Sequence, residues 1–260
     1  LIRQWLAAGV LEDGAWTRSE TGTAQGGSIS PLTANVYLHY VFDLWAQRWR
    51  RTAARGEVII VRYLDDFIVG FQDRADAERF LTALRERLGQ FGLTLHPDKT
   101  RLLEFGRYAA HNRQRRGADK PETFQFMGFV HSCGRTRAGR FAVRRHTAGQ
   151  RLRAKLKEVN LALRQRWHDP IPEVGHWLGS VVRGHTQYYG IAGNSRSIKR
   201  FRDEVSRLWH RALSRRSQRA EVSWQRMNRL ILRWIPPARV VHPYPSVQFA
   251  VMTQGRSPVR

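Results

Sequence analysis

Val58-Ile59-Ile60-Val61-Arg62-Tyr63-Leu64-Asp65-Asp66-Phe67-Ile68-Val69-Gly70-Phe71 sets two adjacent carboxylates in the middle of a run of β-branched and aromatic residues. Strong β-formers run almost without a break through both arms, so Val58 to Tyr63 and Phe67 to Phe71 each predict a short, largely buried strand. Burying two negative charges side by side is costly unless a cation or hydrogen-bond donors compensate. The turn also lacks the Asn-Gly or Asp-Gly that a tight hairpin favours. A sequence that departs from local rules at one point is usually placing chemistry there. The chemistry that fits is a divalent cation held by carboxylates at a hairpin tip, where Mg²⁺ takes oxygen ligands and orients phosphates. The plainer account is an exposed loop tip, in which Asp is common.

Composition narrows the choice. At 260 residues the chain holds one large or two modest domains. A hydrophobic content of 42% and 9 Trp exclude a disordered chain. No apolar run is long enough to cross a bilayer, so no membrane partner is expected. Cys133 is the one cysteine, which permits neither an internal disulfide nor a thiolate metal site. That suits a reducing, cytoplasmic setting, with Cys133 as a small hydrophobe. The net charge is +24, and residues 131–260 carry 27 Lys+Arg against 6 Asp+Glu where residues 1–130 carry 18 against 15. So lopsided an excess, largely arginine, is the electrostatic footprint of a polyanion. The basic segments carry no lipid anchor or separate interfacial helix, which favours nucleic acid over an anionic membrane.

Toward the N-terminus, Thr21-Gly22-Thr23-Ala24-Gln25-Gly26-Gly27-Ser28-Ile29-Ser30-Pro31 puts glycines where backbone can pass close to a ligand, ahead of a helix N-terminus. A flexible linker is the plainer account of such a loop. Ser30 and Pro31 form a good N-cap and N1 pair. The helix they open carries Leu32, Val36, Tyr40 and Leu44 beside Tyr37, Val41 and Trp45, a broad apolar face expected to be well buried. It should end between Arg51 and Gly56. Surface solvation accounts for its Asp43. Leu1 to Val10 reads as a helix closed by Gly9 and Glu12-Asp13-Gly14. Because the chain starts inside that pattern and without Met, it reads as a fragment.

Downstream, Asp73 predicts a cap for a helix with Ala77, Phe80, Leu81, Leu84 and Leu88 on its core face. Leu93 to Leu95 begin a strand that turns at Pro97, and Arg107 to Lys120 read as a polar surface loop. Phe124 to Val130 predict a further strand, with Gly128 admitting a close backbone neighbour. This order gives an α+β fold with helices on one face of an antiparallel sheet.

Together these pieces resemble reverse transcriptases, specifically the proteins encoded by group II introns. Gly22-Thr23-Ala24-Gln25-Gly26-Gly27 is similar to that family's Gly-Thr-Pro-Gln-Gly-Gly motif, and Tyr63-Leu64-Asp65-Asp66 to its Tyr-Ala-Asp-Asp hairpin. Gly92 to Leu95, through Lys99-Thr100, resembles the next block, and Phe126-Met127-Gly128-Phe129 the Phe-Leu-Gly-Phe primer grip. The resemblance implies a partial polymerase palm over 1–145, an all-α thumb/maturase bundle over 146–235 and an extended tail over 236–260. It implies two Mg²⁺ ions, with Asp65 as a direct ligand and Asp66 as a supporting or second one. Tyr63 would line the primer–template, Gln25, Gly26 and Gly27 would border the incoming nucleotide and templating base, and Lys99 would touch phosphate. His96 and Asp98 are weaker candidates, Asp98 being better explained as a turn former. The implied partners are intron RNA, RNA/DNA template–primer and deoxynucleoside triphosphates. Ala24 and Leu64 depart from the pattern, and the bulkier Leu64 bears on primer fit. The family's other metal-binding aspartate falls before Leu1, so the 260 residues alone are expected to be inactive as a polymerase.

The basic half reads as a twisted hairpin over 131–145 and then helices. From Gln150 a helix shows Leu152, Leu156, Val159 and Leu163 on one side and Arg151, Arg153, Lys155, Lys157, Arg164 and Arg166 elsewhere, packing with one face and offering cations with the other. Further helices are expected over 174–189, 195–213 and 223–234, with Asn194 or Ser195 and Ser223 as caps. His176, His185 and His210 are too dispersed for zinc. Arginines interleaved with Trp, Tyr and His suit structured RNA, by phosphate neutralisation and base stacking. The expected activity is RNA-directed DNA synthesis by two-metal nucleotidyl transfer. The alternative is a non-catalytic maturase-like splicing cofactor, or a truncated remnant, whose palm is scaffold.

Overall fold

The computed structural model describes residues 10–12, 15–17, 30–136, 138–216 and 222–242, the first two segments by backbone alone. Two compact units divide the chain, Leu1–Leu103 and Glu104–Arg260.

In the first unit, β1 (Val10–Glu12) pairs antiparallel with β2 (Ala15–Thr17), Glu12 opposite Ala15. Val10 therefore opens a strand rather than closing a helix, and residues 1–9 lie outside the described residues. The intervening Asp13-Gly14, read above as a helix stop, is also the dipeptide that most strongly marks a hairpin. Next comes a helix in three parts: α1 (Ser30–Leu38), a π-helical turn (His39–Asp43) and α2 (Leu44–Thr52). The Leu44 N–H reaches back to the His39 carbonyl, so this turn holds one more residue than an α-turn.

The expected apolar face is only partly right. Val41, Phe42 and Ala46 are buried, and Trp45 and Trp49 pack against them. Leu32, Val36, Tyr40 and Leu44 lie exposed along the other side. A stripe read at uniform 3.6-residue spacing cannot anticipate the extra residue.

β3 (Val58–Tyr63) and β4 (Asp66–Phe71) pair from Val58 opposite Phe71 to Tyr63 opposite Asp66. Both strands were expected to be largely buried, yet only one face is covered. Ile60, Phe67, Val69 and Phe71 pack on the core, whereas Ile59, Val61 and Tyr63 are 64%, 48% and 54% exposed. α3 (Arg74–Gly89) closes the core with Phe80, Leu84 and Leu88, and Asp73 caps it as expected, accepting from the Ala75 N–H at 3.0 Å. Phe80 is the hub, with its ring centroid 5.3 Å from Trp45, 5.0 Å from Trp49 and 5.2 Å from Phe71.

Asp76, at 1% exposure, accepts from the Arg55 and Gly56 amides at 2.7 and 3.0 Å and from Arg79. The Gly56 amide first, then the Arg79 guanidinium, hold its carboxyl down at about 2. Leu93 and Leu95 turn inward to this core, but no ladder forms there among the described residues, so the expected strand is an extended segment.

In the second unit the expected 107–120 loop contains a short helix, α4 (Ala109–Arg115). β5 (Phe124–Phe126), β6 (Phe129–Arg135) and β7 (Phe141–Thr147) form an antiparallel sheet in that order. The single strand expected over 124–130 is thus a hairpin turning at Met127-Gly128, and the twisted hairpin after it is present. Helices α5 (Gly149–Gln165), α6 (Ile171–Tyr189), α7 (Ser195–Ser214) and α8 (Trp224–Trp234) follow close to the expected spans. Their core includes Leu152, Val159, Leu163, Leu178, Val182, Phe201, Val205, Trp209, Met227 and Ile231. A Cβ on Gly175 would come within 2.6 Å of the Trp234 indole, so glycine is what lets α6 and α8 approach there.

Ser223 caps α8 as expected, accepting from the Arg226 N–H at 3.3 Å. The Asn194 side chain does not cap α7. It is buried, accepts from the Thr147 N–H at 3.0 Å, and donates to the Thr147 hydroxyl at 2.9 Å and the Tyr189 carbonyl at 2.8 Å. One amide thereby ties β7 to α6. The tail runs back along α6, where the Val241 and His242 amides donate to the Gly190 carbonyl. Among the described residues no helix is long and apolar enough to cross a membrane.

Candidate active site

The β3–β4 turn holds just Leu64 and Asp65 between the paired Tyr63 and Asp66. A turn this tight needs a residue in the left-handed region, and Leu64 takes it at φ 57. That conformation costs a non-glycine residue about 1–2 kcal/mol. Among the described residues only Met127, φ 48, shares this state without being glycine. Strain held at one point of a scaffold marks a position fixed by something other than local propensity.

Asp65 and Asp66 are both exposed, which corrects the expectation of two buried charges. Among the described residues neither carboxylate has a hydrogen-bond or ion-pair partner. Cross-strand pairing puts Asp66 on the same side as Tyr63, Val61 and Ile59, the bare face of the hairpin. Two free carboxylates at a rigid tip suit a hard cation. No group of three or more His, Cys, Asp or Glu that could hold a metal occurs among the described residues.

What holds the tip is Arg62, a residue the sequence reading passed over. Its Nε donates to Asp43 Oδ1 at 2.7 Å and its Nη2 to Asp43 Oδ2 at 2.6 Å, a two-pronged pair. Its Nη1 donates at 2.8 Å both to the Asn35 side chain and to the Leu64 carbonyl. One guanidinium thus binds α1, the π-helical turn and the strained turn residue together. Asp43 is therefore an ion-pair partner, not a merely solvated residue. The Arg62 hydrogen bonds hold its carboxyl below the usual carboxylate range, and Asp43 in turn raises Arg62. An arginine in a β-branched run is the one signal that pointed here.

Lys99, His96 and Asp98 are exposed at a turn closed by the Thr100 N–H to the His96 carbonyl at 3.0 Å. Gln25, Gly26 and Gly27 lie outside the described residues.

The Phe126-Met127-Gly128-Phe129 turn belongs to the second unit. Met127 and Gly128 take φ 48 and 74, and a Cβ on Gly128 would meet the Tyr189 hydroxyl at 2.7 Å. The Tyr188 hydroxyl donates to the Met127 carbonyl at 3.1 Å, and the Phe129 ring lies 5.2 Å from Tyr189. Two adjacent tyrosines at the end of α6 thus fix this hairpin. Along α5, Arg151, Arg153, Lys155, Lys157 and Arg164 are exposed as expected, with Lys155 paired to Glu158 at 2.7 Å. Arg166 is half-buried, its guanidinium 4.6 Å from the Trp177 ring centroid, so it packs more than it offers charge.

Residues 1–131 match the family described as reverse transcriptase (RNA-dependent DNA polymerase). An uncharacterized 91 kDa protein in cob intron from Schizosaccharomyces pombe is 23% identical over 262 residues, covering 75% of this chain and 31% of that protein. Group II intron-encoded protein LtrA from Lactococcus lactis subsp. cremoris is 51% identical over 39 residues, covering 15% of this chain and 6% of that protein. The chain spans about a third or less of the length of these relatives.

Proposed function

Matched to that family over half its length, the chain belongs to the reverse transcriptases, and on that premise we propose that it is part of a group II intron-type RNA-directed DNA polymerase. The observation that carries this reading is the pair of free carboxylates, Asp65 and Asp66, on a strained tip braced by Arg62. Their oxygen donors fit Mg²⁺, with Asp65 as a direct ligand and Asp66 as a supporting or second one, and further ligands coming from outside the described residues. When bound, the metal would neutralise the triphosphate and favour ionisation of the primer hydroxyl.

The chain's own residues do the placing. Arg62 fixes the height of the turn through the Leu64 carbonyl, and Tyr63 offers an exposed ring beside Asp66 for the primer–template. Lys99 would contact phosphate, and Gln25, Gly26 and Gly27 the incoming nucleotide and templating base. Phe126 to Phe129 would hold the primer strand. We read the palm as running to about residue 145 and the helices of 146–235 as a thumb/maturase domain that binds intron RNA. That is a division of roles, distinct from the compact units.

Primer extension on a primed RNA template tests the catalytic reading, using the longest reading frame that contains these residues. Asp65→Asn should abolish Mg²⁺-dependent incorporation, and incorporation that survives it would sink the assignment. The second reading, a splicing cofactor without polymerase activity, is favoured by the concentration of charge in residues 131–260. It predicts RNA binding without incorporation in the unmutated protein.

A further inference from the structure

A cleft of about 240 Å³ opens between α5 and α7, floored by Leu163 and Leu208 and rimmed by Arg164, Trp167, Arg211 and Arg215. No acidic residue lines it. Of the other arginines of α7, Arg207 pairs with Glu204 at 2.7 Å and Arg202 donates to the Pro236 carbonyl at 2.9 Å, while Arg196 and Arg200 lie outside the cleft. Among the described residues Arg164, Arg211 and Arg215 have no hydrogen-bond or ion-pair partner. Arg211 sits in the last turn of α7 and Arg215 four residues on, just past the helix end at Ser214, a spacing at which like charges repel. Helix C-termini attract cations, which accounts for each arginine singly. It does not account for three of them lining one concavity.

Trp167 supplies the second observation. It is half-buried against this cleft and has no aromatic or cation–π contact among the described residues. Trp45, Trp49, Trp177, Trp224 and Trp234 all have such contacts, and Trp209, which has none among the described residues, is sealed in the core. Trp167 is thus the described tryptophan that is both without a ring partner and open to a cleft. The loop that carries Trp167 is tied down on both sides. Arg166 lies over Trp177, and Arg216 donates to the Asp169 carbonyl at 2.8 Å and the Arg166 carbonyl at 3.3 Å. An indole held this way keeps one ring edge or face open at little further entropic cost.

We propose that this cleft clamps one unpaired nucleotide of an RNA strand, with Trp167 stacking on the base and Arg164, Arg211 and Arg215 neutralising the flanking phosphates. Guanidinium groups match phosphate geometry, and every base offers a face to an aromatic ring. The volume lies below the about 300–1,000 Å³ typical of small-molecule sites, which suits one nucleotide of a longer strand rather than a cofactor. The proposal rests on the nucleic-acid reading above only for the nature of the polyanion.

The test is fluorescence anisotropy of the full 260-residue chain with labelled oligouridine and with an RNA duplex, across a potassium chloride series. Arg211→Gln/Arg215→Gln should flatten the slope of log affinity against log salt for oligouridine by about 1.4, the share of two phosphates on a single strand. Trp167→Leu, which keeps an apolar wall without a stacking face, should weaken oligouridine about 5- to 100-fold and leave the salt slope and the duplex affinity unchanged. Arg200→Gln/Arg229→Gln, the same charge change outside the cleft, serves as the reference, with folding followed by circular dichroism throughout. Cleft variants that behave like the reference pair overturn the proposal. So does equal loss on oligouridine and duplex, or polyglutamate competing as well as oligouridine. Should Trp167→Leu unfold, Trp167→Phe must retain most of the binding. Asp65→Asn should leave oligouridine affinity intact, so failure of the polymerase reading and failure of the clamp are separately visible.

Discussion

Leu64 is the residue on which the candidate tip turns, and its strain makes a direct prediction. Glycine takes φ 57 freely, so Leu64→Gly should raise stability by about 0.5–1 kcal/mol in urea unfolding, once the extra freedom it gives the unfolded chain is deducted. A loss of stability would mean that the leucine side chain contributes packing that outweighs the backbone strain. Two adjacent aspartates in a β-rich run were legible from the sequence. Their brace was not, because Arg62 is defined by partners 19 and 27 residues away. The turn departs from tight-turn preferences, as the sequence showed, but how it is held was not legible: those preferences describe the average cost of a conformation, and a single guanidinium bond to the Leu64 carbonyl helps to meet that cost here.

At the level of elements, α6 carries a buried histidine that acts as a pH-sensitive contact. His185 is buried and stacked on Phe201 at 3.7 Å, and burial, with Lys155 as a lesser cause, lowers its pKa from 6.5 to about 4. Protonation therefore favours the unfolded chain. Stability from this group is complete above pH 6.5 and is lost as the pH falls toward 4, by on the order of 3 kcal/mol. Urea midpoints followed by tryptophan fluorescence should trace that decline, and His185→Leu should flatten it. Asp76 in the first unit works in a separate window: its lowered carboxyl contributes above pH 3.8 and is lost toward pH 2. Helices α5 to α8 were readable because their apolar rows keep a constant 3.6-residue period. α1 and α2 were half read: Val41 and Trp45 face the core as expected, but the Leu32, Val36, Tyr40 and Leu44 row stays outside, because the π-helical turn resets that period. α4 went unnoticed because, after Ala109 and Ala110, its five polar and basic residues carry no apolar row.

Taken whole, the molecule sets 27 basic residues against 6 acidic ones in its second half, while the first half exposes Ile59, Val61 and Tyr63 along the open side of the β3–β4 hairpin. Composition pointed to a polyanion partner, which is an expectation, and the order of elements gave the α+β class that the helices and antiparallel sheets show. Neither gave the bare face, since β-branched residues look the same in a covered strand and an uncovered one. The two features oppose each other as colloidal forces. At low ionic strength a charge of +24 keeps copies apart, and that repulsion shortens to roughly 8 Å near physiological salt. Apolar attraction between bare hairpin faces is not screened in this way. Adding salt should therefore make the RNA-free protein less soluble, with a second virial coefficient by light scattering that turns from positive to negative, and Ile59→Thr/Val61→Thr should delay the change. Polyanions would then act as solubilisers, and purification without nucleic acid is the step at which this protein would be lost.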